Sequence, residues 1–175
     1  MPPGAGGTVG AMRKPLLIVL ALAAAALATW WPHGSPDSGG REDAVVTRVV
    51  DGDTVKVRMP GGATDTVRYI GMDTPESVKP GVPVQCYAKA ASARNEQLVT
   101  GQRVRLLVGA ESRDRYGRLL AYVYRGSDGV FVNAALVREG YARTLTIPPN
   151  DRYAPRFAAL QRQAQSAGRG LWGAC

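Results

Sequence analysis

The chain has 175 residues, with 22 Lys and Arg against 14 Asp and Glu and a formal net charge of +8. This length predicts one domain with terminal extensions, and the basic balance favours a polyanionic partner such as nucleic acid or an anionic membrane. The one histidine, His33, lies in a segment rich in Gly, Pro and Ser. A histidine-activated nucleophile and a histidine-ligated zinc site are therefore disfavoured, and acid–base chemistry falls to carboxylates, Arg, Lys or Tyr.

Residues 1–28 have the layout of an export signal. Two cations precede an unbroken apolar run over residues 16–28, which ends in small residues, and this order is typical of a secretory signal. The run is shorter than the ~20 residues that a membrane-spanning helix usually needs. We expect cleavage and secretion. The alternative is an uncleaved N-terminal anchor, with Trp30 and Trp31 at the membrane interface and the rest of the chain outside the cell.

Residues 29–42 predict a flexible linker because Gly, Pro and Ser dominate them. The folded domain is then expected over residues 43–175. It begins with three predicted strands joined by short turns, which form a meander. β-Branched residues dominate the first strand, and polar and apolar residues alternate in the second. The three strands are predicted over residues 44–50, 54–59 and 64–70.

The second half of the domain alternates helices with strands. Apolar residues at helical spacing predict the helices, and Gly101 ends the first of them. Five strands with a helix between the third and the fourth predict an α+β fold, a five-stranded OB-fold barrel with three helices packed outside. The remaining predictions are helices over 87–100, 131–139 and 152–167, strands over 103–108 and 118–124, a charged turn over 111–117 and an irregular loop over 144–150.

Three polar segments lie at predicted strand ends: Asp51-Gly52-Asp53-Thr54, residues 68–76, and Asp114-Arg115-Tyr116-Gly117-Arg118. Taken singly, each has an ordinary structural interpretation, as a turn, a cross-strand ion pair or barrel packing by the tyrosine. Together they combine carboxylates, which bind hard cations, with arginines, which bind phosphate through two donors at once. An anionic phosphodiester repels a carboxylate base, so its hydrolysis needs such cations beside the base.

In this order, the three segments resemble the signature of the staphylococcal nuclease (thermonuclease) family, over about residues 44–172. The resemblance implies a calcium-dependent nuclease that cleaves DNA and RNA with little sequence preference and leaves 3′-phosphates. It implies no protein partner, and we expect a monomer. The alternative is an OB-fold module that binds nucleic acid without cleaving it, although such a module would not require Glu76.

The resemblance also implies roles for individual residues in metal binding and acid–base chemistry. Asp53 and Asp73 would bind Ca²⁺ through their carboxylates, and Thr74 would bind it through its backbone carbonyl. Glu76 would act as the general base, or would at least orient the water that attacks phosphorus.

A second group of roles concerns the substrate. Arg68 and Arg118 would hold the phosphate and stabilise the charge that develops in the transition state, and Tyr116 would lie beside the nucleotide. The sequence departs from the family pattern in residues 143–149, where well-known members supply a tyrosine near the base and this chain has no aromatic residue. We therefore expect weaker affinity for short nucleotides, since a stacked base contributes ~1–3 kcal/mol.

Cys86 and Cys175 are the only cysteines. In an exported chain they predict a disulfide, which would join the start of the first long helix to the C-terminus. Closing so long a loop stabilises a fold by up to roughly 4–5 kcal/mol in the chain-entropy estimate. The alternative is a pair of free thiols.

Overall fold

The structure is a computed structural model that describes residues 41–77, 81 and 83–175. The predicted export signal and residues 29–40 of the predicted linker lie outside the described residues. The last two residues of the predicted linker, Arg41 and Glu42, belong instead to the first strand, where they pair with Leu107 and Leu106. Side chains alternate between the two faces of each strand, so apolar residues at every second position lie on the same face. In chain order the strands are β1 (Arg41–Val49), β2 (Thr54–Arg58), β3 (Thr64–Tyr69), β4 (Met72–Asp73), β5 (Arg103–Arg113), β6 (Leu119–Arg125) and β7 (Arg143–Thr144).

Five of these strands close into a barrel in the order β1-β2-β3-β6-β5, and β4 and β7 form a separate two-stranded sheet. The first three strands pair antiparallel as a meander, whereas β3 and β6 pair parallel. β5 pairs antiparallel with both β1 and β6, which completes the closure. The predicted five-stranded OB-fold barrel is confirmed.

Among the described residues, three helices of 7 to 13 residues pack outside the barrel, as predicted, and a fourth helix of four residues was not predicted. Three apolar residues of the second helix, Val132, Leu136 and Val137, are fully buried. This helix contacts the first and third helices and β6. No helix within the described part of the chain combines the length and apolarity needed to cross a membrane. The helices are α1 (Ala88–Val99), α2 (Val132–Arg138), α3 (Ala154–Ser166) and α4 (Leu171–Ala174).

The core has two parts because β6 is covered on both faces. Its residues 119, 121 and 123 point into the barrel, while Tyr122 points outward into an aromatic cluster under α2 and α3. In that cluster the ring centroid of Tyr122 lies 6.1 Å from that of Phe131 and 6.3 Å from that of Phe157. The outer cluster fixes the helices against the strand that leads away from Arg118.

β5 extends five residues beyond its predicted end at residue 108. Residues 111–113, which we expected in the charged turn, belong to the strand, and the turn is confined to residues 114–117. The register with β6 shifts between Val108 and Arg113. Cross-strand contacts support this polar extension: Arg113 pairs with Asp65 at 2.7 Å, and the side chain of Asn150 bonds both the amide and the carbonyl of Glu111.

A disulfide joins Cys86 to Cys175, with the two Cα atoms 6.0 Å apart. The C-terminal end of this link is itself fixed to the fold. Leu171 is 2% exposed, and its amide donates to the Gly140 carbonyl at 2.8 Å. The disulfide therefore connects the residues that precede α1 to a packed C-terminal turn.

Candidate active site

The turn between β1 and β2 buries Asp53. Asp51 Oδ1 accepts the Asp53 amide at 3.0 Å, and the Asp53 carbonyl accepts the Tyr69 amide at 2.9 Å. Glycine is needed at position 52 because a Cβ there would lie 2.6 Å from Thr74 Oγ1. The Asp53 carboxylate is therefore held against the segment that carries Thr74, and only 4% of Asp53 is exposed.

Both oxygens of the Asp53 carboxylate have hydrogen-bond donors. Oδ2 accepts the Thr74 amide at 2.8 Å and the Thr74 hydroxyl at 2.9 Å. Oδ1 accepts the Thr54 hydroxyl at 3.1 Å and forms an ion pair with Nη1 of Arg68. These donors compensate for the water that a buried charge has lost.

Arg68 connects two aspartates. It lies on β3 between Thr54 of β2 and Leu120 of β6, and 14% of its side chain is exposed. Nη1 pairs with Asp53, while Nη2 donates to Asp73 Oδ1 at 2.6 Å. The side chain of Asp73 is 56% exposed. The two carboxylates thus converge on one guanidinium, one from the interior and one from the solvent side.

The path of the chain after β3 explains where Asp73 lies. Gly71 turns the backbone with a φ of 82°, a conformation that favours glycine. Side chains then alternate across β4, so that Met72 enters the core and Asp73 faces outward. Pro75 restricts Thr74 to extended conformations, and the chain reaches Glu76 directly beyond it.

Asp114 fixes the position of Arg118. Its carboxylate accepts Arg118 Nε–H at 2.7 Å, the Arg118 amide at 3.0 Å and the Tyr116 amide at 2.9 Å. Burial raises the pKa of Asp114, but these hydrogen bonds outweigh burial and place the pKa below its ordinary value. The ion pair with Asp114, which we considered as an alternative role for Arg118, is present. In this pair the Arg118 side chain still lines the candidate site.

Tyr116 is 68% exposed, so it does not pack inside the barrel. Its ring lies under two guanidiniums, with Arg115 Cζ 4.8 Å and Arg118 Cζ 5.4 Å from the ring centroid. Such cation–π contacts hold the exposed ring and the Arg118 side chain next to each other.

Two polar residues that position the site were missed from the sequence. Gln85 holds the backbone of Glu76: its Oε1 accepts the Glu76 amide at 2.8 Å, and its own amide donates to the Glu76 carbonyl at 2.9 Å. Asn95, buried on α1, donates from Nδ2 to the Asp51 carbonyl at 3.0 Å. Gln85 lies nine positions from Glu76 and Asn95 lies 44 positions from Asp51, and no local pattern indicates either contact.

One cleft of about 590 Å³ brings together all seven non-cysteine site residues predicted from the sequence. Four carboxylates and four cations line it, so its formal charges cancel. Burial and the charge of Glu76 raise the pKa of Asp51 in this cleft, against a hydrogen bond from Thr54 and the charge of Arg68. The predicted residues in the cleft are Asp53, Arg68, Asp73, Thr74, Glu76, Tyr116 and Arg118.

A second cleft of about 490 Å³ shares Arg68, Arg118 and Tyr116 with the first. Its other lining residues include the aliphatic side chains of Leu120, Leu145 and Ile147. Leu145 is 40% exposed and Ile147 is 58% exposed. The loop that lacks an aromatic residue therefore presents an aliphatic surface beside the arginines.

The oxygen atoms around Asp53 and Asp73 suit a hard divalent cation. The two carboxylates already converge on one positive group, Arg68, and hard cations bind carboxylate and carbonyl oxygens. Residues 41–77, 81 and 83–175 contain no group of three or more acidic, histidine or cysteine side chains that could hold a metal. An ion at this place would therefore keep water among its ligands, which Ca²⁺ tolerates.

Comparisons with known proteins identify the family to which the chain is similar. A family model described as staphylococcal nuclease homologue matches residues 66–174. The chain is 45% identical to a thermonuclease of Staphylococcus intermedius over 75% of this chain and 76% of the relative. It is 44% identical to a thermonuclease of Staphylococcus hyicus, over 73% of each chain. It is 41% identical to endonuclease YncB of Bacillus subtilis, over 79% of this chain and 67% of the relative.

Proposed function

The chain belongs to the staphylococcal nuclease family, and on this premise we propose that it is a secreted, calcium-dependent nuclease. It hydrolyses phosphodiester bonds of DNA and RNA with little sequence preference. The observation that carries the proposal is the cleft in which three separate chain segments place Asp53, Asp73 and Glu76 beside Arg68 and Arg118. The names of the similar proteins, thermonuclease and endonuclease, support nuclease activity.

Asp53, Asp73 and the backbone carbonyl of Thr74 would hold the Ca²⁺ ion. The chemistry that the ion supplies when bound is positive charge, which polarises a phosphoryl oxygen and helps to place the attacking water. The balanced charges of the cleft support a need for it. Four cations and four carboxylates give no net attraction for a phosphodiester. A bound divalent cation would make the cleft net positive and would favour binding of the anionic substrate.

The chain's own residues would carry the rest of the reaction. Arg118, already oriented by Asp114, and Arg68 bind the non-bridging phosphate oxygens and stabilise the additional negative charge of the transition state. Glu76 accepts a proton from the attacking water. A bond forms between the water oxygen and phosphorus, the bond from phosphorus to the 5′-oxygen breaks, and the leaving oxygen takes up a proton. The products carry a 3′-phosphate and a 5′-hydroxyl.

Tyr116 would lie beside the bound nucleotide, and the aliphatic cleft formed by Leu145 and Ile147 would receive the base without aromatic stacking. The disulfide between Cys86 and Cys175 supports export, because such bonds persist in oxidising compartments. We propose residues 1–28 as the export signal and residues 29–40 as the linker. Because β1 begins at Arg41, we propose residues 41–175 as the nuclease domain, acting as a monomer.

The decisive experiment measures cleavage of a single-stranded DNA oligonucleotide by the purified protein, with Ca²⁺ or with a chelator. Glu76→Gln is compared with Glu96→Gln, which removes the same charge from an exposed position on α1. We expect calcium-stimulated cleavage by the wild type and by Glu96→Gln. A positioned general base contributes about 10²- to 10⁴-fold, so Glu76→Gln should lose activity by that order.

The outcomes separate the candidate functions. Binding of the oligonucleotide with no calcium-stimulated cleavage would establish the non-catalytic OB-fold module instead. Full activity of Glu76→Gln would contradict the role of Glu76 as general base but would not contradict nuclease activity. Mass spectrometry of the fragments then identifies the end groups, and 5′-phosphates in place of 3′-phosphates would contradict the proposed direction of attack.

A further inference from the structure

The backbone of Glu76 is held from both sides by one residue, Gln85. The side-chain Oε1 of Gln85 accepts the Glu76 amide at 2.8 Å, and the Gln85 amide donates to the Glu76 carbonyl at 2.9 Å. These two hydrogen bonds fix both polar backbone groups of Glu76 and restrict the directions in which its carboxylate can point. Gln85 is exposed, so burial does not hold it in place.

The residues that follow Gln85 supply the missing restraint. Cys86 is bonded to Cys175. Tyr87 has a φ of 69°, a left-handed conformation that is costly for a bulky residue and persists only where its surroundings enforce it. Its ring stacks on Tyr141 with the centroids 5.4 Å apart. The segment from Gln85 to Tyr87 is thus clamped by one covalent and one aromatic contact.

The other end of the disulfide is a fixed point. The amide of Cys175 donates to the Leu171 carbonyl at 3.1 Å, and Leu171 is buried. Trp172, next along the chain, packs under the guanidinium of Arg143, whose Cζ lies 5.5 Å from the ring. The disulfide therefore limits how far Gln85 can move relative to the barrel.

We propose that Gln85 is a positioning residue for Glu76, and that the Cys86–Cys175 disulfide keeps it in place and makes cleavage sensitive to thiol reductants. This inference rests on the proposed role of Glu76. The two cysteines are exposed, so a dithiol can reach them. Reduction transfers two electrons and two protons: the protein gains two thiols, and the dithiol becomes a cyclic disulfide.

The first test replaces Gln85 by Met, which has a similar length and no oxygen acceptor, and by Glu, which keeps an acceptor. We expect kcat to fall about 10- to 100-fold in Gln85→Met, because small displacements of catalytic groups have effects of this size. KM should change little. Gln85→Glu should retain kcat within a few-fold of the wild type.

A double-mutant cycle separates positioning from general structural support. In a Glu76→Gln background the substitution Gln85→Met should have almost no further effect, since the group that it positions is already gone. The same fold-loss in both backgrounds would overturn the proposal. Amide hydrogen exchange at Glu76 gives a readout that does not depend on activity: Gln85→Met should accelerate it, while exchange in β2 stays unchanged.

The second test reduces the protein with a dithiol at constant Ca²⁺, with mass spectrometry to verify both thiols and circular dichroism to verify the fold. We expect kcat to fall and to recover on reoxidation, while the double variant Cys86→Ser/Cys175→Ser is low in kcat and indifferent to reductant. Unchanged kcat in the folded, reduced protein would overturn the redox part. Absence of nuclease activity in the wild type would refute the proposed function, and slow Glu76 exchange in Gln85→Met would refute the positioning.

Discussion

Asp114 shows how a single carboxylate orients Arg118, the arginine that we propose to bind phosphate. It accepts three hydrogen bonds, two from backbone amides through Oδ1 and one from Arg118 Nε through Oδ2. Asp114→Asn keeps the acceptor for the amides and replaces the oxygen that faces Nε by a donor. The turn should remain, whereas Arg118 loses its restraint.

We expect Asp114→Asn to lower kcat/KM about tenfold, because a hydrogen bond to a charged group is worth about 1.5–3 kcal/mol. The matched control is Asp128→Asn, which breaks the ion pair with Arg125 at the far end of β6. Steady-state cleavage of a defined oligonucleotide measures both variants. Equal activity of the two variants would show that Asp114 does not position Arg118.

The lowered pKa of Asp128 predicts how the free energy of unfolding depends on pH. Hydrogen bonds from Arg125 at 2.6 and 2.9 Å lower the pKa of Asp128 to about 2. A carboxyl whose pKa is lower in the folded state stabilises the fold above its unfolded pKa of about 3.9, and this contribution disappears as the pH falls through about 2. The thermal midpoints of the wild type and Asp128→Asn should differ at pH 5 and converge near pH 2. A pH-independent difference would exclude this cause.

At the scale of elements, the turn between β3 and β4 depends on Gly71. An added Cβ would meet the ring of Phe157 at 2.3 Å, and φ is 82°. Gly71→Ala should therefore combine backbone strain of about 1–2 kcal/mol with overpacking of about 1–3 kcal/mol. Gly61→Ala is the control, since Gly61 has a φ of 89° and no atom within 4 Å of the added Cβ.

Urea unfolding of both variants measures the free energy of unfolding. We expect Gly71→Ala to lose the larger amount, and Gly61→Ala to show the strain alone. Since Phe157 packs behind the segment that carries Asp73, the activity of Gly71→Ala should also fall. Equal destabilisation by the two substitutions would mean that the ring moves aside at little cost.

The elements also show what sequence patterns can predict. The barrel strands were predictable because alternation in β2 and β-branched residues in β1 are local signals. The second half of β5 was not, because its polar residues are supported by Asp65 and Asn150, which lie far away in the chain. For the same reason, some site residues were predictable from the sequence and others were not. Asp53, Asp73 and Arg118 stand in short motifs, whereas Gln85 and Asn95 act through contacts that only the folded chain creates.

For the whole molecule, the distribution of charge matters more than its sum. The chain carries +8, yet the cleft that would bind the scissile phosphate is formally neutral. If the protein binds nucleic acid as proposed, attraction for a long strand comes from cations outside the cleft, and the exposed arginines Arg58 on β2 and Arg105 on β5 are candidates. A short substrate that occupies only the cleft receives little of this attraction.

This distribution predicts different salt dependences for long and short substrates. Binding of single strands weakens with a logarithmic slope of about 0.7 for each phosphate that the protein neutralises. Three such contacts would raise KM for a long strand roughly 20-fold between about 50 and 200 mM salt, with kcat nearly unchanged. A dinucleotide substrate should show a much smaller rise. Steady-state kinetics with both substrates at constant Ca²⁺ measures the two slopes, and equal slopes would place all the phosphate contacts inside the cleft.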